Sequence, residues 1–467
     1  MTKPANRNPA STEQGWGDLI RRRGGVLGLI CLAVWLNAAD ALVTATVMPD
    51  VGRDLGGLRY FSLAFSGFMV GSVAASASAG WLAERLGLGR AAAAAGVILA
   101  LGCGVSAASG GPEAFLAGRF IQGLGAGWAA GLAMVAVALH FPDSQRARVY
   151  AAVAAVWGVA TLLGPLVGGL FAAGPGGWRG VFWFFCVQAG VFAVAAPRLM
   201  GSRPGQAGSN LPWRSLMALC GALCVILSAP SFQGPAAVGA LVLGAMGLAA
   251  TARFDARSAT RLTPVVLADL HRPPGNGYLA MLALTAAGMG LAIYAAPVLQ
   301  SLAGLTALQA GYVVAVQALV WTGCAFAVGG ASERAERLLI PLGAVLIAAA
   351  AAGLGPALGT GEAWPAAAAA AVMGAGFGIS SSLMNRRVLR SLGAGDLATG
   401  SSAFIAVRQV GGAFGASAAG VAANTAGFAV GFSPEIAVET ALWTAAPCAV
   451  FGLLGIYAAL RLSRRRA

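Results

Sequence analysis

Long apolar runs, each closed by a short stretch of charge, glycine or proline, recur along the whole chain. A helix rises about 1.5 Å per residue, so about 18–25 such residues cross roughly 30 Å of hydrocarbon. On that measure the pattern predicts spanning helices near 26–48, 60–83, 90–110, 113–139, 149–173 and 179–197. Two more follow near 213–231 and 235–252. A last group lies near 277–300, 309–330, 338–357, 364–384, 398–423 and 438–460. The expected fold class is all-α, a polytopic membrane protein with 14 transmembrane helices grouped six, two and six. Two six-helix bundles would surround a central cavity, with a two-helix insert between them. The divisions are a tail over 1–25, a first bundle over 26–197, connections and insert over 198–275, a second bundle over 276–460 and a tail over 461–467. Halves of this kind place a substrate at their interface, near the bilayer midplane.

Charge placement orients these spans. With the N-terminus inside, the inner segments hold Lys3, Arg7, Arg21, Arg22, Arg23, Arg85, Arg90, Arg146, Arg148, Arg198, Arg203 and Arg214. Arg253, Arg257, Arg261, Arg272, Arg334, Arg337, Arg386, Arg387, Arg390, Arg461 and Arg464 to Arg466 continue the series. The outer loops hold only Arg53, Arg59 and Arg179. Basic residues gather in cytoplasmic loops, so both termini are expected in the cytoplasm. Residues 1–20 have no apolar core, so the first span is expected to stay in the mature protein rather than leave as a signal peptide.

Composition agrees with a lipid-facing surface. Hydrophobic residues make up 58% and charged ones only 10%, against about a quarter charged in soluble domains. The net charge of +14 is spent in loop clusters, which excludes a nucleic-acid partner. The 68 glycines suit close helix packing in a bilayer. All 7 cysteines fall in apolar runs without metal-ligand spacing, so neither a disulfide framework nor a metal site is expected.

An ionisable group inside a span is costly, and by default marks a functional position. Asp40 is the one acid well inside a run, and Arg119 and Arg408 are the two bases. Asp40 lies nine residues before Pro49 and Arg119 seven after Pro112, so each sits about 10–13 Å below the outer surface. At matching depth they can pair. Burial strengthens a carboxyl's hold on its proton, and a nearby guanidinium weakens it. A conformational change that parts the two would load and unload a proton. The alternative is a static ion pair that fixes helix packing. Arg408, at midplane, has no acidic partner in reach by sequence and is either a contact for an anionic substrate group or a packing residue.

These same residues carry a family resemblance along essentially the whole chain. Asp40 to Pro49 (DALVTATVMP) resembles the first-helix motif of the fourteen-helix drug:proton antiporter branch of the major facilitator superfamily, with Ala45 where that branch has asparagine. Gly80, Glu84, Arg85, Gly87 and Arg90 are similar to the superfamily's loop signature G-x-x-x-D-R-x-G-R-R/K. Glu84 stands for the aspartate and Gly89 where a base is usual. Arg119, Gln122, Gly123, Gly125 and Gly127 resemble the branch's R-x-x-Q-G-x-G pattern, whose arginine is linked to proton transfer. Gly158, Gly164, Pro165, Gly168 and Gly169 look like the fifth-helix motif found in exporters and generally lacking in importers. Trp178 to Trp183, Pro297 to Gly311 and Arg408 to Gly415 also resemble the branch. The resemblance implies proton-coupled export by alternating access, with Asp40 and Arg119 coupling and the Gly80–Arg90 and Gly158–Gly169 groups moving the helices.

Mid-span polar and aromatic groups are the candidate cavity lining: Trp35, Asn37, Gln122, Trp128, Trp157, Gln188, Tyr294, Gln317, Trp321, Asn385, Arg408 and Gln409. They suggest a roomy pocket for amphipathic or cationic organic molecules (drugs, antibiotics or a metabolite), with Asp40 attracting a cation. Gly288-Met289-Gly290 suits a gate. His140 and His271 are the only histidines and lie near helix ends, so no catalytic set converges and no enzyme is expected. No phosphate-binding loop exists, which leaves an ion gradient or the substrate's own gradient as energy source; the resemblance implies the proton gradient, with no cofactor. The expected partners are a small-molecule substrate, protons and lipid. The chain is expected to be a monomer in a bacterial inner membrane. The competing readings are a facilitator or importer of a nutrient with Asp40 structural, and a membrane sensor or scaffold that has lost transport.

Overall fold

The computed structural model describes residues 16–56, 60–201, 211–392, 397–431 and 433–464. Lys3, Arg7, Arg59, Arg203, Arg465 and Arg466 of the charge pattern lie outside them. Every regular element described is helical: α1 (Trp16–Leu55), α2 (Phe61–Leu86), α3 (Leu88–Ala107), α4 (Pro112–His140), α5 (Asp143–Ala173) and α6 (Gly177–Leu199). Then come α7 (Trp213–Ser228), α8 (Pro235–Arg257), α9 (Pro273–Ala287), α10 (Met289–Leu302) and α11 (Ala307–Ala327). The last are α12 (Glu333–Gly359), α13 (Ala363–Arg390), α14 (Leu397–Thr425) and α15 (Pro434–Ser463). Only helices satisfy their own backbone in lipid without closing a barrel. Among the described residues 13 segments are long and apolar enough to cross a membrane, α9 and α10 counting as one. The 29-residue α14 is long enough to be the next, but carries Arg408, Gln409 and Asn424.

Helix ends follow local chemistry. Gly87 (φ 80°) makes the turn between α2 and α3. Pro112, Pro235, Pro273 and Pro434 open helices where a missing N–H costs nothing. Thr306 and Gln309 form a reciprocal capping box at the start of α11. Arg23 is non-helical (φ −138°, ψ 16°), so a short helix from Trp16 precedes the span expected from near 26, which runs on past Pro49 to Leu55. The span expected near 277–300 is one crossing in which Gly288 separates α9 from α10.

Small residues set the packing. Cβ atoms built on Gly123 and Gly127 of α4 would stand 2.1 Å from Phe68 O and 2.3 Å from Ser72 O of α2. One on Gly125 would stand 2.3 Å from Leu99 N of α3. The alternating glycines thus admit two neighbours on two faces. In the other half, Gly343 of α12 and Gly376 of α13 approach each other's carbonyls in the same way. Helices α1 to α6 form one packed group, and α9 to α15 a second. α7 and α8 pack on each other, and α7 also touches α2 and α14.

The ends of α2, α6, α13 and α15 and the start of α1 share one side, called here the terminus side. Gly89 N donates to Gly201 O (3.1 Å) there, and Arg387 Nε donates to Leu462 O (2.9 Å). The two groups meet through α2 with α14 and through α5 and α1 with α11. Contacts between Ser62 and Gly420, Gly169 and Leu308, and Pro165 and Gly311 lie toward the opposite, far side. Phe61, Tyr294 and Phe428 close that side as one aromatic cluster, with centroids 5.3–5.8 Å apart.

Candidate functional site

Helix α4 turns Arg119 and Gln122, one turn apart, toward Asp40 of α1. Arg119 Nη1 donates to both carboxylate oxygens at 2.9 Å and to Gln122 Oε1 at 2.9 Å. Gln122 Nε2 donates to Asp40 Oδ1 at 2.6 Å. Arg119 Nε donates to Ala64 O of α2 (3.2 Å), and its guanidinium lies 4.7 Å from the Phe68 ring centroid. Asp40, Arg119 and Gln122 are each only 1% exposed. A charge at the centre of a membrane helix costs about 2.5–3.5 kcal/mol on insertion scales. Mutual neutralisation and the extra hydrogen bonds are what hold these charges in place. Gln122 therefore belongs to this network and not to an open cavity, which corrects its expected place. Nor does the Asp40 carboxylate face a space where it would attract a cation.

The glycines of α5 form a seat. A Cβ on Gly164 would stand 2.7 Å from Leu42 Cβ, and one on Gly168 2.9 Å from Thr46 Cβ, both on α1. A Cβ on Gly169 would stand 2.7 Å from Leu308 Cβ of α11. Pro165 lies against Gly311. The first two hold α1, the element that carries Asp40, and the other pair meets the opposite half. Gly158 has open space around it and takes no part in this seat.

On either side of the α2–α3 turn, Gly80, Glu84 and Arg85 of α2 and Arg90 of α3 are exposed. Arg85 lies over Trp81, 5.2 Å from its ring centroid. Gly89, where the family pattern has a base, is pressed against the end of α6: a Cβ there would stand 2.5 Å from Gly201 O.

The expected cavity residues separate into several groups. Trp35 Nε1 donates to Gln188 Oε1 (2.9 Å) and Trp128 Nε1 to Ser78 Oγ (2.9 Å), so these groups satisfy each other within the first half. Tyr294, at 1% exposure, is sealed in the far-side aromatic cluster and lines no open space, a second correction. Gln409 Nε2 donates to Ser72 Oγ (3.2 Å) and ties α14 to α2. Trp321 stacks on Phe377 at 4.8 Å, and Gln317 presents its backbone to Gly374. Trp157 is 40% exposed. Asn37, Asn385 and Arg408 are partly exposed. An apolar cleft of about 330 Å³ opens between α1 and α5, lined by Cys31, Leu32, Trp35, Ala155, Val156 and Val159.

Several positions were not legible as sites. On the terminus side Glu336 of α12, 1% exposed, takes Arg386 (2.5 Å) and Arg390 (3.3 Å) of α13. The signal was the spacing of Arg386 and Arg390, four apart on one helix face. At the far side Asp54 pairs with Arg179 and accepts from Trp178 Nε1 (3.1 Å), while Arg179 Nη2 donates to Ser109 O (3.1 Å). That clasp joins the ends of α1, α3 and α6.

Comparison with known proteins places this geometry. A probable multidrug-efflux transporter of Mycobacterium tuberculosis (strain H37Rv) is 30% identical over 484 aligned residues, covering 98% of each chain. A multidrug transporter protein of Bacillus subtilis (strain 168) is 29% identical over 173 residues, 36% of this chain and 31% of its own. Among solved structures, a peptide transporter in complex with sulfate superposes with a TM-score of 0.71 at 16% identity, covering 97% of this chain and 96% of that one. A D-xylose-proton symporter gives 0.61 at 16% identity, covering 94% and 97%. These likenesses show the shared fold. The family model described as Major Facilitator Superfamily matches residues 30–416, and the chain accordingly belongs to that superfamily of membrane transporters.

Proposed function

We propose that the chain is a proton-coupled antiporter that exports small amphipathic organic molecules by alternating access. The observation that carries this reading is the enclosed Asp40–Arg119–Gln122 network, which holds a lone intramembrane carboxylate against a base that competes with its proton. Movement of α1 against α4 would part the pair and let Asp40 take a proton; re-closure would expel it. The α5 seat supports this, because it packs the Asp40-bearing helix and the opposite half on one glycine-rich stretch. Efflux as direction is supported by the full-length similarity to a probable multidrug-efflux transporter. The far-side contacts between halves fit a state closed to that side. The gradient is the only energy source in this reading, with no cofactor. The protein works as a monomer in a bacterial inner membrane with both termini in the cytoplasm, the placement favoured by the basic loops.

The test uses inverted membrane vesicles with an imposed pH gradient and a panel of amphipathic dyes. Wild type should accumulate substrate and release protons. Asp40→Asn should lose accumulation yet keep substrate-for-substrate exchange without a gradient. Equal accumulation by both forms would make Asp40 a packing residue and end the coupling argument.

A further inference from the structure

Three charged residues lie well inside the described spans, and two of them, Asp40 and Arg119, close on each other. The third, Arg408, has no ion pair or hydrogen bond to any of the described residues and is partly exposed. Its helix face is well defined by its neighbours. Gly411 and Gly412, three and four residues on, share that face. A Cβ on Gly411 would stand 2.3 Å from Leu282 O of α9, and one on Gly412 2.7 Å from Met69 Sδ of α2. Arg408 therefore sits where α14 faces the seam between the two halves, with α9 on one flank and α2 on the other. Ile405, one turn nearer the terminus side on the same helix face, is 45% exposed. Arg408 lies about 16 Å along the helix from Leu397, below the depth of lipid headgroups.

We propose that Arg408 is the anion-recognition point of the transport site, and that the transported molecules carry a carboxylate, sulfonate or phosphate-type group as organic acids or zwitterions. A guanidinium cannot shed its proton and presents a planar fork that matches such oxyanions two bonds at a time. Nothing in the described protein fills that fork, and the one intramembrane acid is already committed to Arg119. An anionic substituent thus meets a complementary group in the seam, whereas a cation meets none. The inference rests on the transport reading above, since it is the seam of an alternating transporter that a substrate would enter.

The experiment is binding of carboxyfluorescein, an aromatic carboxylate, to the purified full-length protein in detergent, read by fluorescence anisotropy. Wild type should bind. Arg408→Gln should bind about tenfold more weakly or worse, as for loss of a charge-assisted bond. Arg408→Lys, which restores charge without the fork, should fall between the two and guards against loss by misfolding. Equal binding by wild type and Arg408→Gln, no binding by wild type, or a Lys variant no better than Gln overturns the proposal. Binding needs no gradient, so the two readings fail separately. Arg408-dependent binding with Asp40-independent accumulation removes the proton coupling and keeps the anion site. The reverse pair of results removes the anion site alone.

Discussion

Gly311 of α11 lies against Pro165 of α5 across the seam between the two halves: a Cβ built on Gly311 would stand 2.9 Å from the Pro165 Cβ and 2.9 Å from Thr46 Oγ1 of α1. Three helices from both halves thus meet at one residue without a side chain. A branched side chain there has no room while the seam is closed. Overpacking costs about 1–3 kcal/mol, and here that cost falls only on the closed seam. Gly311→Val should therefore shift the population toward a state open on the far side. The readout is faster labelling of a cysteine placed at Leu308 by an impermeant maleimide, with transport reduced about tenfold. Unchanged labelling and transport would show that this contact does not move.

The Asp40–Arg119 pair should respond unequally to loss of either partner. Asp40→Asn strands a guanidinium that has no neutral form to adopt, in a site 1% exposed. Breaking a buried pair in this way costs about 3–5 kcal/mol. Arg119→Gln leaves a carboxyl that can bind a proton and keep its bond to Gln122, so its cost should be roughly half as large. The double variant should be milder than Asp40→Asn alone. Thermal melting of the four forms in one detergent checks the order. Equal melting of both single variants would mean that the pair is solvated.

How much of this was legible in the sequence depends on the range of each interaction. The spans were readable because lipid imposes one rule on every residue of a run. The depth match of Asp40 and Arg119 followed from counting residues to Pro49 and Pro112. Gln122 was misplaced because its spacing from Arg119 shows a shared face but not what that face meets. Tyr294 was misplaced for a related reason: only the fold brings Phe61 and Phe428 around it. Glu336 escaped notice because its partners, Arg386 and Arg390, lie on another helix. The break at Gly288 was suggested by its glycine-rich setting, but its position within the span is set by packing.

Gly89 offers a test of why the loop signature departs from its usual form. Its backbone N donates to Gly201 O at 3.1 Å, and any Cβ would crowd that same oxygen. The α2–α3 turn is thereby docked on the end of α6. Gly89→Arg supplies one base of the common pattern yet should harm the protein. It should lower the melting temperature and transport, whereas Arg90→Gln, on an exposed side chain, should leave melting unchanged. A Gly89→Arg variant as stable as wild type would mean that the end of α6 yields freely.

The two-helix insert should prove dispensable for assembly. α7 places Leu223 and Ile226 against Val70 and Val73 of α2 and Val410 and Ala413 of α14, on the outside of the seam. Asn424 Nδ2 also donates to Pro230 O (3.0 Å) at the far end. In water, stripping α7 away would expose apolar surface at a large cost. In a bilayer, lipid tails replace it and the hydrophobic term nearly vanishes, leaving lost packing, the Asn424 bond and the three bonds that Asp255 accepts from Leu262 and Thr263 near the terminus side, each about 1 kcal/mol. The chain ends on either side of the insert both lie on the terminus side, so a flexible linker can replace residues 213–257 without crossing the membrane. The shortened protein should assemble, melt a few degrees lower and keep transport. Failure to assemble would instead make the insert part of the working core, holding α2 and α14 in register.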